Sequence, residues 1–337
     1  GHLAIIQDNM PEGESYQTAF SWIKNRDATD NHMLFDRVRG IYNDMHSNTT
    51  AQQVTNVNTL QRFLNGGVQV GNDVQVNTAN ESYVAWNWYM EATGTGTANT
   101  DGSINTTATL VDTNLGLSIS EFTGTGNNAT IGHGLGVVPQ MFWVKGIDAG
   151  NHWYVYHADN TSAPQTDALL LGGTNGGFDD ATLWNDTAPT SSVISIGTNA
   201  NVNQSSKKFL AMAFAPSQFT SIGGYIGNGN ANGTFVPTVN SLGIPIQPAW
   251  VMFKSIGTSN GWGMYDNQRD PFNTMSKDLR ADLSNAENID SSDKVDIVTG
   301  GLKMRANHGG TNAASLYVYL AFGTPMIDVD GRIITGF

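Results

Sequence analysis

Three lysines are each followed, twelve residues later, by an acidic residue or a histidine. The pairs are Lys24 with Asp36, Lys145 with His157, and Lys254 with Asp266. One interpretation makes each pair a binding feature that is repeated three times. The other is structural: each lysine closes a strand and pairs or caps against the neighbouring strand. The histidine in the second pair argues against a strict binding code, so we favour the structural interpretation.

The other residues capable of catalysis form no recognisable centre. A glycosidase needs two carboxylates that face one another across a cleft. The candidate pairs are Asp179 with Asp180, Glu12 with Glu14, and Asp328 with Asp330. All three pairs lie in turn-like polar sequence, and no feature of the sequence brings two carboxylates together. The abundance of serine and threonine makes any single serine uninformative as a nucleophile. We predict a non-catalytic protein with no catalytic residues.

No metal or cofactor site is predicted either. His152 and His157 are five residues apart, which places them on opposite faces of a strand. Asp328–Gly331 begins like a calcium loop but lacks the remaining ligands, so we interpret it as a turn. The glycine pairs that begin at Gly124 and Gly227 are not followed by a helix, and we interpret them as hairpin turns that need positive φ.

The amino-acid composition argues against some classes of binding partner. Only 13% of the 337 residues are charged, the net charge is −13, and there is no cysteine. An acidic chain lacks the basic face that nucleic acids and anionic membranes require. No apolar run is long enough to suggest membrane insertion. The absence of cysteine excludes disulfides and cysteine zinc sites.

The aromatic motif around the lysines recurs, and so does a second motif that closes each copy. We take Trp22, Trp143 and Phe253 as equivalent positions in the first motif. The second motif follows the Asp36, His157 and Asp266 positions at similar distances, and its copies begin at Tyr83, Phe209 and Tyr317. A repeated unit of about a hundred residues has the size of a small domain. We interpret the tryptophans as core residues rather than sugar platforms.

The segments that contain these residues are predicted to be short strands. Aromatic and β-branched segments alternate with Gly- and Asn-rich turns, which is typical of antiparallel sheets. We predict an all-β chain of tandem antiparallel β-sandwich units, jelly-roll-like, with little helix. The only helical candidates are 278–286 and 51–64, and both can equally be loops. Residues 328–334 are predicted to form a last strand.

The repeats divide the chain into predicted domains. These are a first, incomplete unit at 1–93, a Thr/Asn/Gly-rich loop or linker at 94–114, a second unit at 115–221 and a third unit at 222–337. The first unit lacks the Gly-rich opening strand of the other two, and residues 1–15 are an irregular substitute. We therefore expect the chain to be part of a longer gene product.

The first repeat resembles a signature in virion proteins of marine tailed phages. The matching residues are Phe20-Ser21-Trp22-Ile23-Lys24-Asn25-Arg26-Asp27, His32, Leu34-Phe35-Asp36 and Val38-Arg39-Gly40. Four further segments resemble the same family, namely Gly132–Leu135, Trp153–His157, Gly223–Gly229 and Tyr265–Asn273. The resemblance spans about Ser15 to Phe322, and His157 departs from the pattern.

This resemblance implies a structural component of a tailed-phage virion, such as a tail fibre, a head decoration or a similar appendage. It implies location on the surface of the extracellular particle, other virion proteins as partners, and a homo-oligomer, with a trimer favoured. Two alternatives are a module that binds a host surface glycan and a polysaccharide-degrading tailspike. Exposed aromatics on the loops 150–153 or 260–262 would favour the first, and a deep acidic cleft would favour the second.

Overall fold

The computed structural model describes residues 3–6, 16–91, 94–289 and 294–327. These residues form twenty-six strands, three four-residue helices and one 3-10 turn at Pro164–Thr166. Every pairing between named strands is antiparallel, so the all-β prediction is confirmed. The predicted strand 328–334 lies outside the described residues.

In the first part of the chain, residues 3–6 and 16–91 form eight strands and one helix. They are β1 (Leu3–Ile6), β2 (Gln17–Asn25), β3 (Met33–Asp36), β4 (Asn43–His46), β5 (Val54–Thr55), β6 (Leu60–Leu64), β7 (Gly67–Val70), α1 (Val74–Asn77) and β8 (Tyr83–Met90). The predicted helical candidate 51–64 is wrong, since β5 and β6 occupy its ends.

The middle part contains nine strands and two helices. They are β9 (Ala108–Asp112), β10 (Leu117–Thr123), β11 (Ala129–Gly132), β12 (Met141–Gly146), β13 (Tyr154–His157), β14 (Asp167–Leu170), β15 (Phe178–Asp179), α2 (Ala181–Trp184), β16 (Val193–Ile196), α3 (Ala200–Asn203) and β17 (Lys208–Phe214). Strand β9 lies inside the segment 94–114 and pairs with β10, so that segment is not only a loop or linker.

The described residues of the last part form nine strands. They are β18 (Thr220–Ile226), β19 (Phe235–Pro237), β20 (Ile246–Ser255), β21 (Gly263–Asp266), β22 (Lys277–Arg280), β23 (Asn288–Ile289), β24 (Val295–Val298), β25 (Gly301–Met304) and β26 (Leu316–Pro325). Strand β22 begins the segment 278–286, which is therefore not a helix.

Three large sheets share one strand order. The orders are β5-β4-β3-β2-β8, then β15-β14-β13-β12-β17-β10-β9, then β23-β22-β21-β20-β26-β18. In each sheet the central strand carries one of the three lysines near its end; these strands are β2, β12 and β20. On one side it pairs with its hairpin partner, which is β3, β13 or β21 respectively. On the other side it pairs with a long closing strand, which is β8, β17 or β26 respectively. Smaller sheets with the orders β1-β7-β6, β11-β16 and β19-β25-β24 complete the arrangement.

Side chains along each lysine-bearing strand point alternately to its two faces, so the strand contributes residues to two cores. In β2, Trp22 points into a core that all three large sheets share, whereas Ile23 points into a local core with Val68 and Val70 of the small sheet. Strands have a side-chain period of two, so neighbouring residues face opposite sides of the sheet. Each large sheet therefore packs as a sandwich on one face and joins the common core on the other.

Aromatic rings join the three large sheets inside the common core. Trp22 contacts Trp143 at 6.2 Å between ring centroids, and Trp88 contacts Phe322 at 5.6 Å. Such rings bury about 200 Å² each, which contributes about 5 kcal/mol per ring before conformational entropy is subtracted. The domain boundaries at 93, 115 and 222 stay a prediction, but the sheets on either side of them are packed together.

Candidate functional site: the buried lysines and paired charges

The three lysines, each the next-to-last residue of its strand in β2, β12 and β20, are completely buried. The Lys24 Nζ donates to the backbone oxygens of Asn25 at 2.5 Å and Ala28 at 3.2 Å. Neither oxygen belongs to a neighbouring sheet, so Lys24 stabilises the loop that leaves its own strand. Backbone carbonyls are the partners here, rather than a charged residue on the adjacent strand.

The other two lysines bridge between sheets. Lys145 donates to the oxygen of Asn151 in its own loop and to that of Thr50, 3.1 Å away beside the first sheet. Lys254 repeats this pattern with the oxygen of Asn260 at 2.6 Å and that of Gly173 at 3.1 Å, beside the second sheet. Each of these two lysines therefore connects its own sheet to the preceding one.

An arginine completes the connection between the first and last sheets. Arg26 donates from Nη2 to Oε1 of Glu287 at 2.8 Å, and the Glu287 amide donates back to the Arg26 oxygen at 2.8 Å. Glu287 also accepts from Arg269 at 3.0 Å. Burial opposes ionisation of Glu287, but these two arginines outweigh it and lower its pKa.

Burial makes the protonated form of each lysine less favourable. It lowers the pKa of Lys24, Lys145 and Lys254 to about 8, with Asp30 opposing the change at Lys24 and Asp282 opposing it at Lys254. A lysine near this pKa can serve as a base or a nucleophile if a substrate reaches it. These ammonium groups have no solvent access and are bonded to carbonyl oxygens, so the geometry favours the structural role.

The aspartates that follow the lysines by twelve residues lie at the opposite end of the strands. Asp36 faces Phe20 across β2 and β3, and Asp266 faces Trp250 across β20 and β21. The lysines therefore do not pair directly with these aspartates, because three residues of strand lie between each lysine and the residue that faces the aspartate. The twelve-residue spacing reflects the length of the hairpin.

Each of these aspartates pairs with the arginine three residues later. Arg39 Nε lies 2.5 Å from Asp36 and Arg269 Nε lies 2.5 Å from Asp266. Trp86 donates its indole N–H to Asp266 at 3.0 Å and also lies under the Arg269 guanidinium, 5.4 Å from ring centroid to Cζ. Burial raises the pKa of Asp266, but Arg269 and these hydrogen bonds outweigh burial and lower it overall.

His157 takes the corresponding place in the second sheet but makes different bonds. Its Nδ1 accepts from the Asp159 amide at 3.1 Å, so its Nε2 carries the proton and donates to the oxygen of Tyr319 at 3.2 Å. Burial lowers the pKa of His157 to about 4, which keeps the ring neutral. The histidine thus connects the second and third sheets without a charge.

The prediction for Phe253 is wrong by one residue. Trp22 and Trp143 lie two residues before their lysines and both enter the common core. Two residues before Lys254 stands Met252, which is also in the common core, whereas Phe253 lies in the local core of the last sheet with Tyr265. A shift of one position reverses the face of a strand, so Met252 is the counterpart of the two tryptophans.

Sequence reasoning assigned no structural role to His32. It lies eight residues after Lys24, where the other two copies have Trp153 and Trp262. His32 is fully buried, and its Nδ1 accepts from the indole N–H of Trp22 at 2.8 Å. Burial and the nearby Lys24 charge lower its pKa to about 3, so the ring is neutral. The constant eight-residue spacing was the available signal.

The remaining catalytic candidates are separated or already paired. Asp179 is exposed on β15, while Asp180 caps α2 through the Thr182 amide. The loop Gly257–Gly261 has the Gly-x-Ser-x-Gly pattern of a nucleophile elbow, but it joins two antiparallel strands instead of a strand and a helix. Glu12, Glu14, Asp328 and Asp330 lie outside the described residues.

The glycine turns have the backbone that the sequence predicts. Gly126 and Gly229, which follow β10 and β18, have φ of 76° and 63°. A Cβ at Gly124 would lie 2.4 Å from the Gln204 oxygen, and one at Gly227 would lie 2.0 Å from that of Ala313. The predicted hairpins are wrong, however, because β10 pairs with β17 whereas β11 pairs with β16, and β18 pairs with β26 whereas β19 pairs with β25. Each turn carries the chain from one sheet to another, and close backbone packing there accounts for the glycines.

The charged groups that line one surface cleft are already paired. A cleft of about 540 Å³ is lined by Asp278, Arg280 and Glu287 among others. Arg280 pairs with Asp278 at 2.7 Å, and Glu287 pairs with Arg26 and Arg269. Among the described residues no cluster of three or more histidines and acids could hold a metal ion. In the same part of the chain, no helix has the length and apolarity to cross a bilayer.

All eight tryptophans are buried, so none offers a flat exposed surface to a sugar ring. Trp153 donates its indole N–H to the His46 oxygen at 2.9 Å, and Trp262 donates to that of Leu170 at 2.9 Å. The two loops expected to present aromatics for glycan binding therefore point their tryptophans inward.

Comparison with known families gives one match. A family model described as a domain of unknown function (DUF7483) matches residues 7–325, so the chain belongs to this family. No curated protein and no solved structure matches it.

Proposed function

We propose that this chain is a structural component of a tailed-phage virion, part of a tail fibre, a head decoration or a similar appendage on the particle surface. It acts through assembly rather than catalysis. The observation that carries the proposal is the common core, where aromatic rings pack between the sheets and where Lys145, Lys254 and Asp266 form hydrogen bonds from one sheet to another. The resemblance of the repeat motifs to virion proteins of marine tailed phages supplies the location.

The polar groups support a scaffold more than a reactive centre. Lys145 and Lys254 are completely buried on carbonyl oxygens, and Asp266 is held by Arg269 and Trp86. A catalytic group must reach a substrate in a cleft, and these groups face other sheets instead.

The environment of a marine particle fits this design. At high ionic strength the screening length falls to a few ångströms, so exposed ion pairs contribute little. The pairs described above are buried and are therefore screened much less. A chain with only 13% charged residues depends mainly on its apolar core, which salt does not weaken.

The partners in this proposal are other virion proteins and further copies of the chain, with a trimer favoured because fibres are commonly trimeric. Glycan recognition receives less support, since Trp153 and Trp262 are buried. The decisive experiment is mass spectrometry and symmetric reconstruction of purified particles from the phage that encodes this chain. We expect many symmetric copies per particle, and recovery only as a free monomer in infected cells would contradict the proposal.

A further inference from the structure

The three junctions between the large sheets share one backbone hydrogen bond. In each, an amide that follows the fourth strand of one hairpin series donates to the backbone oxygen two residues after the lysine of another sheet. The donor and acceptor pairs are Gln53 to Ile147 at 2.9 Å, Gly177 to Ile256 at 3.2 Å, and Glu287 to Arg26 at 2.8 Å. The junctions can therefore be compared position by position.

The side chains beside this shared bond differ from one junction to the next. Between the last sheet and the first, Arg26 and Glu287 form an ion pair. Between the second and the third, Gly177 has no side chain. Between the first and the second, Gln53 and Ile147 stand at these places and line a cleft of about 340 Å³. The Gln53 side chain thus borders open space where its counterpart Glu287 has an arginine.

Both sheets place polar groups on the walls of this cleft and hold them by hydrogen bonds. Arg39 donates from Nη1 to Oε1 of Gln53 at 3.2 Å. Lys208 donates from Nζ to Oε1 of Glu121 at 2.9 Å and from its backbone amide to Oδ1 of Asp148 at 2.9 Å. Within the described part of the chain, Nε2 of Gln53, Oε2 of Glu121 and Oδ2 of Asp148 make no hydrogen bond. One amide donor and two carboxylate acceptors therefore remain for a ligand.

The charges and the size of the cleft restrict that ligand. The ammonium of Lys208 lies among the carboxylates of Glu121 and Asp148, so a ligand of either charge would meet a like charge on the walls. A volume of about 340 Å³ is at the small end of the range for small-molecule pockets. Hydroxyl groups donate and accept, so a ring that carries several can bind the carboxylates and the amide together. We propose that this cleft binds one sugar residue of a neutral glycan.

Binding of this kind relies on hydrogen bonds. Ile147 is the one apolar side chain among the described residues that line the cleft. The exposed aromatic rings expected on the loops 150–153 and 260–262 are not needed, although both tryptophans of those loops are buried. The site goes beyond the structural function proposed above. Its test uses the purified chain alone, so a failure to bind sugar would leave the proposed place in the virion untouched.

Saturation-transfer NMR of the full chain tests the site with D-glucose, D-galactose, D-mannose and N-acetyl-D-glucosamine, each added separately. We expect at least one of these sugars to bind with a Kd in the millimolar range. Asp148→Asn, at an exposed position, should weaken that binding about tenfold because a charged acceptor is lost. Asp27→Asn is the matched control: Asp27 accepts from the Ser82 amide as Asp148 does from that of Lys208, but it lies outside the cleft. This variant should bind like the unaltered chain.

A second variant closes the cleft with the chain's own ion pair. Ile147→Arg combined with Gln53→Glu copies Arg26 and Glu287 into this junction and should abolish binding, with the unfolding midpoint measured as a check on the fold. Binding of unchanged affinity in this folded variant would contradict the proposal. If the variant does not fold, the comparison of Asp148→Asn with Asp27→Asn decides, and equal weakening by the two would contradict the proposal.

Two further results would overturn the assignment. One is the absence of saturation transfer to all four sugars. The other is displacement of the bound sugar by an equal concentration of inorganic phosphate, which would show that the cleft takes anions. We expect phosphate to leave the sugar signal unchanged.

Discussion

The buried lysines predict an unusual dependence of stability on pH. Each has a pKa of about 8 in the folded chain against 10.5 in an unfolded one. At about 1.4 kcal/mol per pKa unit, each charged lysine costs the folded state about 3 kcal/mol at neutral pH. Between pH 8 and 10.5 the unfolded chain binds more protons, so the free energy of unfolding rises with pH.

The size of the rise follows from these values. From pH 8 to pH 10 each lysine contributes about 2 kcal/mol, or about 6 kcal/mol for the three together. Above pH 10 the tyrosines oppose this trend: burial raises the pKa of Tyr89 and Tyr156 to about 12, so the unfolded chain ionises them first. We therefore expect maximum stability near pH 10 rather than at neutral pH.

Guanidinium chloride unfolding followed by tryptophan fluorescence measures this profile at pH 7, 8, 9 and 10. Lys145→Met should lose about a third of the rise, because one of the three groups no longer titrates. Lys208→Met is the matched control: this lysine is 54% exposed on its side chain and bonded to Glu121, so its removal should preserve the rise. A stability that is flat or falling between pH 8 and 10 would refute the desolvation argument, as would a Lys145→Met profile identical to the original.

Three further outcomes are expected in the same unfolding assay. Trp143→Ala should cost about 3–5 kcal/mol because it opens a cavity in the common core, whereas Val137→Ala, half exposed, should change stability by about 0.5 kcal/mol or less. Gly116→Ala should cost at least about 1 kcal/mol more than Gly136→Ala; both have positive φ, but only at Gly116 does a Cβ meet a backbone oxygen, at 2.2 Å. Lowering the pH from 7 to 5 should reduce the free energy of unfolding by about 2 kcal/mol through His32, because its pKa is about 3 in the folded chain and 6.5 in the unfolded one. His32→Gln should abolish that share of the loss.

Local patterns predicted the strands well. Phe20–Lys24 and Leu316–Phe322 are aromatic and β-branched between turn residues, and both lie within strands of the structure. The helical candidates failed because segments such as Lys277–Arg280 take their conformation from pairing with a neighbouring strand. Backbone pairing of this kind depends on residues far away in sequence, which local propensity does not contain.

The bonds between sheets could not be predicted from spacing. The partner of Lys145 is a backbone oxygen of Thr50, and any residue type can supply that group. The Asp–Arg pairs were easier to predict from the sequence, since Arg39 and Arg269 both follow their aspartates by three residues. The error at Phe253 had a simpler cause, because aromatic identity was matched in place of the distance to the lysine.

The direction of these bonds explains how three repeats form one body. Lys145 reaches back to Thr50 and Lys254 reaches back to Gly173, so each later sheet donates to the one before it. For the first sheet the preceding one is the last, and there Arg26 binds Glu287. A set of contacts that returns to its starting point leaves no terminal repeat with an uncovered core face, which linear repeat arrays must cap separately. Because every repeat is both donor and acceptor, loss of one would expose buried polar groups on both of its neighbours, and the three sheets are expected to unfold together.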